Sequence, residues 1–160
     1  MDYLWSPWRY RYIAGGESPR CFFCDSAAGS RDSETLIVHR AALSFVILNR
    51  YPYTSGHLMV APYLHVPSLG GLDAPALSEM MLLVQQGEKH LAGVYRPEGF
   101  NIGINLGKCA GAGVPGHLHI HVVPRWTGDT NFMTITGETR VLPEDLDVTW
   151  QKLSRAFRGQ

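Results

Sequence analysis

The chain has 160 residues and no charge of one sign in excess: 14 lysines and arginines stand against 14 aspartates and glutamates. With no block of like charges, a nonspecific grip on DNA, RNA or an acidic membrane is not expected. Cysteine is scarce, with three residues at positions 21, 24 and 109. An odd count without a secretion signal argues against a disulfide framework. No apolar run approaches the length that spans a membrane. The opening MDYLWSPWRYRYI is aromatic and charged, unlike the apolar core of a signal peptide, so the expectation is a cytoplasmic protein. Internal repeats, low-complexity tracts and a credible linker are also missing, and 1–160 reads as a single domain.

What is present is a 45% hydrophobic chain, enough for a real core. TLIVHR (35–40), ALSFVILN (42–49) and HLMVAP (57–62) read as strands of an antiparallel meander. Asp73 is a candidate N-cap with Pro75 in the first turn. From there a long helix is expected, with apolar residues at 77, 80, 81, 84, 91 and 94 on one stripe. FNIGINL (100–106) reads as a strand, NFMTITG (131–137) as a short one, and the tail from Pro143 as a helix. The class is α+β: a largely antiparallel five-stranded sheet with one long helix and a C-terminal helix. His90 falls near the long helix's end, a surface position favoured by the helix dipole. His39, inside a strand, reads as structural.

The stretch GHLHIHVVPRW (116–126) sets His117, His119 and His121 at every second position. In a strand these line one face, while Leu118, Ile120 and Val122 line the other and pack a core. On a helix His119 would point away from the other two. The alternation, ended by Pro124, therefore predicts a strand with an imidazole row on an accessible face. Such a row suits a metal cluster, since neutral imidazole is a good ligand. It also suits catalysis, where one imidazole attacks and its neighbours handle protons or charge.

The loop before it, NLGKCAGAGVPGH, is rich in glycine, and its amides could turn inward to hold an anion. It is no P-loop, because the spacing is one short and no Ser or Thr follows Lys108. CFFC has metal-ligand or redox spacing. DSAAGS after it is a poor helix start, so zinc suits the pair better than redox chemistry.

HLHIHVV matches the His-x-His-x-His-x-x signature, and the chain resembles the histidine-triad family of nucleotide hydrolases and transferases. Other features support this. Asn49 stands eight residues before His57 in LNRYPYTSGHLMVAP, and NLGKCAGAG is similar to the family's Asn-x-Gly loop. LWSPWRYRYI and HVVPRWTGDTNFM are similar to a bacterial branch that includes diadenosine tetraphosphate phosphorylases. The likeness covers roughly residues 3–137.

The resemblance implies a role for each residue. His119 would attack the α-phosphorus and form a nucleotidyl-histidine, its other nitrogen held by the backbone carbonyl of His117. His121 and His57 would contact phosphate oxygens, and Asn49 would bind ribose hydroxyls. Asn105 and the backbone of Gly111, Ala112 and Gly113 would cradle phosphates, and Phe22, Phe23 and Ile47 would wall the base, adenine being expected. Cys21, Cys24, His65 and His117 match the family's structural zinc ligands, and no organic cofactor is implied. Cys109 reads as a small loop residue. A homodimer and an inorganic phosphate acceptor are further expectations.

One departure is plain. Where many members place Gln-Ser/Thr-Val before the triad, this chain has Gly113-Val114-Pro115-Gly116, with one extra residue after Asn105. Leaving-group recognition would then fall to backbone amides, Lys108 or WTGDTN. Two other readings stay open: a zinc-dependent hydrolase with all three histidines as ligands, and a nucleotide sensor without turnover.

Overall fold

The computed structural model of the chain describes residues 20–129 and 144–159. The 131–137 strand, the aromatic arm and Pro143 lie outside them. Helix α1 (Phe22–Ala28) and the short α2 (Asp32–Thr35) precede strands β1 (Ile37–Arg40), β2 (Ser44–Leu48) and β3 (Leu58–Pro62). Helix α3 (Ala74–Tyr95), strand β4 (Gly99–Ile104), strand β5 (Ile120–Arg125) and helix α4 (Leu146–Phe157) complete the order. The strands form one five-stranded sheet, β1-β2-β3-β5-β4, in which every pairing is antiparallel. This is the expected α+β arrangement.

Register gives the sheet two distinct faces. Leu48, Leu58, Val122 and Ile102 stand side by side on one, and Ile47, Met59, His121 and Gly103 on the other. Alternation of side chains along a strand makes these faces opposite. Helix α3 covers the first face: a Cβ on Gly87 would lie 3.4 Å from Leu58 Cδ1, so this buried glycine lets helix and sheet approach closely.

Asp73 caps α3, accepting a hydrogen bond from the Ala76 amide at 3.0 Å. Arg96 ends it in a left-handed conformation before Pro97. The buried stripe is Ala76, Met80, Leu83, Val84, Gly87 and Leu91. Met80, Val84 and Leu91 are buried as expected, but Met81 is 56% exposed, because it stands about 100° around the helix from Met80.

Two local expectations are corrected. The first four residues of DSAAGS, Asp25 to Ala28, continue a helix rather than resisting one, and Gly29 ends it. Phe23 anchors α1 in the core, and Arg40 caps its end by donating to the Ala27 and Gly29 carbonyls, both at 2.8 Å. Pro124 lies within β5 rather than ending it. Pairing with β3 stops at Val122, and the Pro124 carbonyl on that side takes the Thr54 hydroxyl at 2.9 Å. The missing N–H faces the same side, so it costs no ladder bond.

Helix α4 packs on α3 and β1, with Trp150 Nε1 donating to the Ile37 carbonyl at 2.7 Å. Phe157 lies between His39 and His90, with ring centroids 5.2 and 4.5 Å away. His90 is thus half-buried, and burial lowers its pKa, the reverse of the dipole effect expected.

Candidate active site

His117 and His119 precede β5 and His121 lies within it. Their face is not open as expected. Helix α1 covers it, leaving His117 and His119 1% and 5% exposed, with the Phe23 ring tilted against both at centroid distances of 5.0 and 4.7 Å.

Hydrogen bonds fix each ring's tautomer. His119 Nδ1 lies 2.8 Å from the His117 carbonyl oxygen, which only accepts, so Nδ1 carries the proton and Nε2 keeps the lone pair. Nε2 is not among the sealed, unpartnered side-chain atoms, which among the described residues are Ser44 Oγ and Ser55 Oγ. Burial lowers the pKa of His119, so the ring is neutral near pH 7.

The second chain of bonds runs the other way. The Tyr53 amide donates to His57 Nδ1 at 3.2 Å, so the His57 proton sits on Nε2. Nε2 lies 3.0 Å from His121 Nδ1, which must then accept. His121 is left with its proton on Nε2. Burial and the neighbouring His119 push its pKa down to about 4, which keeps it neutral. The His119 and His121 rings meet edge to face at 4.8 Å. Side by side, then, stand one lone pair able to attack and one N–H able to donate.

Several expected roles move. His57 is 1% exposed with both nitrogens engaged, so it lies behind His121 and does not face a phosphate. Asn49 is half-buried beside it: its amide nitrogen is 3.4 Å from His57 Nδ1, and its oxygen accepts the Tyr51 amide at 2.9 Å. Phe23 and Ile47 are sealed core residues, whereas Phe22, the third base-wall candidate, lines a cleft.

Within the glycine-rich loop, the Gly111 and Ala112 amides donate to the Lys108 and Gly107 carbonyls at 3.0 and 3.3 Å. Gly107 and Gly111 adopt left-handed φ of 80° and 86° to make this turn. Among the described residues the Gly113 amide has no backbone partner, so it is the cradle candidate that remains with Asn105, half-buried just after β4. Trp126 to Asp129 lie beyond the far end of β5, roughly 20 Å along the strand from His119. They are not placed to meet a leaving group in the same chain. Tyr53, whose amide orients His57 and whose ring lies 4.6 Å from it, went unnoticed in the sequence. A backbone bond leaves no residue-type signal there.

Cys21, Cys24, His65 and His117 converge, with one donor atom from each lying within 4.8 Å of the others. Cys21 Sγ and Cys24 Sγ lie 3.3 and 3.6 Å from His117 Nδ1, and Cys24 Sγ lies 3.3 Å from His65 Nδ1. Zinc bonds of about 2.3 Å to sulfur and 2.1 Å to nitrogen put tetrahedral ligands roughly 3.5 Å apart, so the set fits that ion. His117 Nε2 donates to the Pro62 carbonyl at 2.9 Å, leaving Nδ1 free to ligate. Burial, then the adjacent Cys21 sulfur, raises the Cys24 thiol pKa. Cys21 does cap a helix, as redox cysteines do, yet the two imidazoles complete a metal-ligand set. His119 and His121 are outside that set.

A five-stranded antiparallel sheet with a buried histidine row defines a fold of the histidine-triad type. The HIT domain family matches residues 30–128, and the chain belongs to that family. It is 41% identical over 169 positions to AP-4-A phosphorylase of Mycobacterium tuberculosis, across 100% of this chain and 86% of that protein. Bis(5'-nucleosyl)-tetraphosphatase [asymmetrical] of Schizosaccharomyces pombe is 33% identical over 93 residues, 58% of this chain and 50% of that protein. The crystal structure of a Zn-bound histidine triad family protein from Mycobacterium smegmatis superposes with a TM-score of 0.70 at 26% identity. It covers 87% of this chain and 94% of that one.

Proposed function

We propose that the chain is a nucleotidyl-transferring enzyme that cleaves dinucleoside polyphosphates, diadenosine tetraphosphate among them, through a covalent intermediate on His119. The observation that carries this reading is the His119 tautomer. A neutral ring, its Nδ1–H held by the His117 carbonyl, offers Nε2 as the nucleophile.

In the first step Nε2 attacks the α-phosphorus. An N–P bond forms, the P–O bond to the bridging oxygen breaks, and the rest of the polyphosphate leaves with that electron pair. The His119 ring becomes cationic because Nδ1 keeps its proton, and the His117 carbonyl oxygen stabilises that charge. His121 Nε2–H donates to a phosphate oxygen as negative charge builds. In the second step water or inorganic phosphate attacks the same phosphorus, the N–P bond breaks, and His119 returns neutral. The attacking group's proton passes to solvent or stays on the phosphate. The 41% identity to an AP-4-A phosphorylase supports phosphate as the acceptor and adenine as the base. Comparing products with and without inorganic phosphate tests that choice: diadenosine tetraphosphate gives ADP plus ATP with phosphate, and AMP plus ATP with water.

Zinc on Cys21, Cys24, His65 and His117 would serve structure, since four protein ligands close a tetrahedral site. It would pin α1 to the segment that carries the nucleophile. Ligand thiols suit a reducing compartment, in keeping with a cytoplasmic enzyme. Among the described residues strand β4 is an edge of the sheet, and Ile102 on it is 45% exposed. An apolar edge of this kind supports a homodimer.

A further inference from the structure

The segment between β2 and β3 carries more than the amide that orients His57. Three bonds hold it in place. The Asn49 amide donates to the His57 carbonyl at 3.0 Å, and the His57 amide to the Thr54 carbonyl at 3.2 Å. The Thr54 hydroxyl donates to the Pro124 carbonyl, which ties the segment to β5 three residues beyond His121. Gly56 adopts a left-handed φ of 83°, and a Cβ there would stand 2.8 Å from Leu91 Cδ2 on α3. A backbone pinned to both β5 and α3 gives the Tyr53 side chain a fixed origin.

That side chain is half-buried, and its ring lies against two histidines at once. Its centroid stands 4.6 Å from that of His57 and 6.2 Å from that of His121. Among the described residues three rings meet His121, and their angles differ. His57 crosses it at 49° and His119 at 73°, whereas Tyr53 is stacked at 23°. The bond from His57 holds His121 Nδ1 but leaves the imidazole free to tilt about that point. A nearly parallel neighbour opposes such a tilt, in the offset stack that aromatic pairs favour. We propose that Tyr53 is a positioning residue whose ring holds the plane of His121 and so aims its Nε2–H. The inference rests on the reading above, in which that N–H meets a phosphate oxygen as charge builds. His57 sets which nitrogen carries the proton, and Tyr53 sets where it points. The ring alone does this, because the amide that holds His57 belongs to the backbone and survives a change of side chain.

The test uses the full chain with Tyr53→Ala, Tyr53→Leu and Tyr53→Phe. With diadenosine tetraphosphate, Tyr53→Ala and Tyr53→Leu are expected to lower kcat roughly threefold to tenfold, the worth of one aromatic pair, and to leave KM nearly unchanged. Tyr53→Phe, which keeps the plane, retains wild-type kcat. Tyr53→Leu keeps apolar bulk, so it carries the test should alanine prevent folding. Nitrogen NMR gives a second readout without turnover. In the Ala and Leu variants the His121 proton stays on Nε2, and the ring titrates above its wild-type value of about 4 as water reaches its face. Wild-type kcat in Tyr53→Leu, a loss in Tyr53→Phe, or an unmoved His121 titration overturns the proposal. Wild type that turns over no dinucleotide, with His121 still shifted in the variants, would instead defeat the proposed reaction and leave the positioning role standing.

Discussion

His57 Nε2 lies 3.0 Å from His121 Nδ1, and this bond decides which nitrogen of His121 carries the proton. Because the Tyr53 amide holds the other His57 nitrogen, the pair has one arrangement of protons that satisfies every contact. His57 is therefore a positioning residue. His57→Leu is expected to lower kcat by roughly tenfold to a hundredfold, the worth of one charge-assisted hydrogen bond, and to leave KM nearly unchanged. Nitrogen NMR of the imidazoles would show the His121 proton on Nε2 in wild type and on both nitrogens, in exchange, in the variant. A fixed Nε2 proton in both proteins contradicts the relay.

Metal content separates the closed site from a catalytic one. One zinc per chain is expected in wild type and His121→Ala, and none in Cys21→Ser, by elemental analysis after dialysis. Loss of the metal on His121→Ala would favour a zinc hydrolase with the triad as ligands.

Acid should unfold the protein through its neutral histidines. His121 titrates near 4 in the fold, where burial comes first and His119 second, against an ordinary value of 6.5. The unfolded chain binds that proton first. Stability is thus fully present above about pH 6.5 and falls as pH drops toward 4, by up to about 3 kcal/mol from His121 alone. His119 and His117, lowered mainly by burial, add in the same direction. Thermal melts between pH 7.5 and 4.5 should show the drop, and His121→Asn should flatten it. Equal slopes in the two proteins would remove His121 from the account.

Arg40 should hold the cysteine helix in place. It donates to Ala27 and Gly29 at the end of α1 and pairs with Asp32 at 2.8 Å. Arg40→Met is expected to cost about 2 kcal/mol, roughly 4–8 °C in Tm for a chain of this size. It should also hasten zinc loss to a chelator. A variant with wild-type melting would show the cap to be idle.

Much of the sheet was legible because strand signals are local: β2 and β3 are short, nearly continuous apolar runs bounded by turn residues, and Asp73 announces α3 by its own side chain. The four metal ligands were legible because thiols and imidazoles carry chemistry in their identity. What escaped depends on three-dimensional cover. Nothing in HLHIHVV says that Phe23 will fold over it, and Phe23 itself looked like a wall for a base. His57 looked like a phosphate ligand until its depth and the Tyr53 amide placed it behind His121. The loop amides of Gly111 and Ala112 illustrate the same limit, since glycine permits a turn without saying which way its N–H groups face.

The central claim is a covalent bond between His119 Nε2 and the α-phosphorus. Rapid acid-free quenching of wild type with diadenosine tetraphosphate, followed by peptide mass spectrometry, measures it directly. The account predicts one added adenylyl group on the peptide spanning His119, absent in His119→Ala, whose turnover falls by at least about 10³-fold. Full turnover by His119→Ala, or an adenylyl group found on another residue, would contradict it.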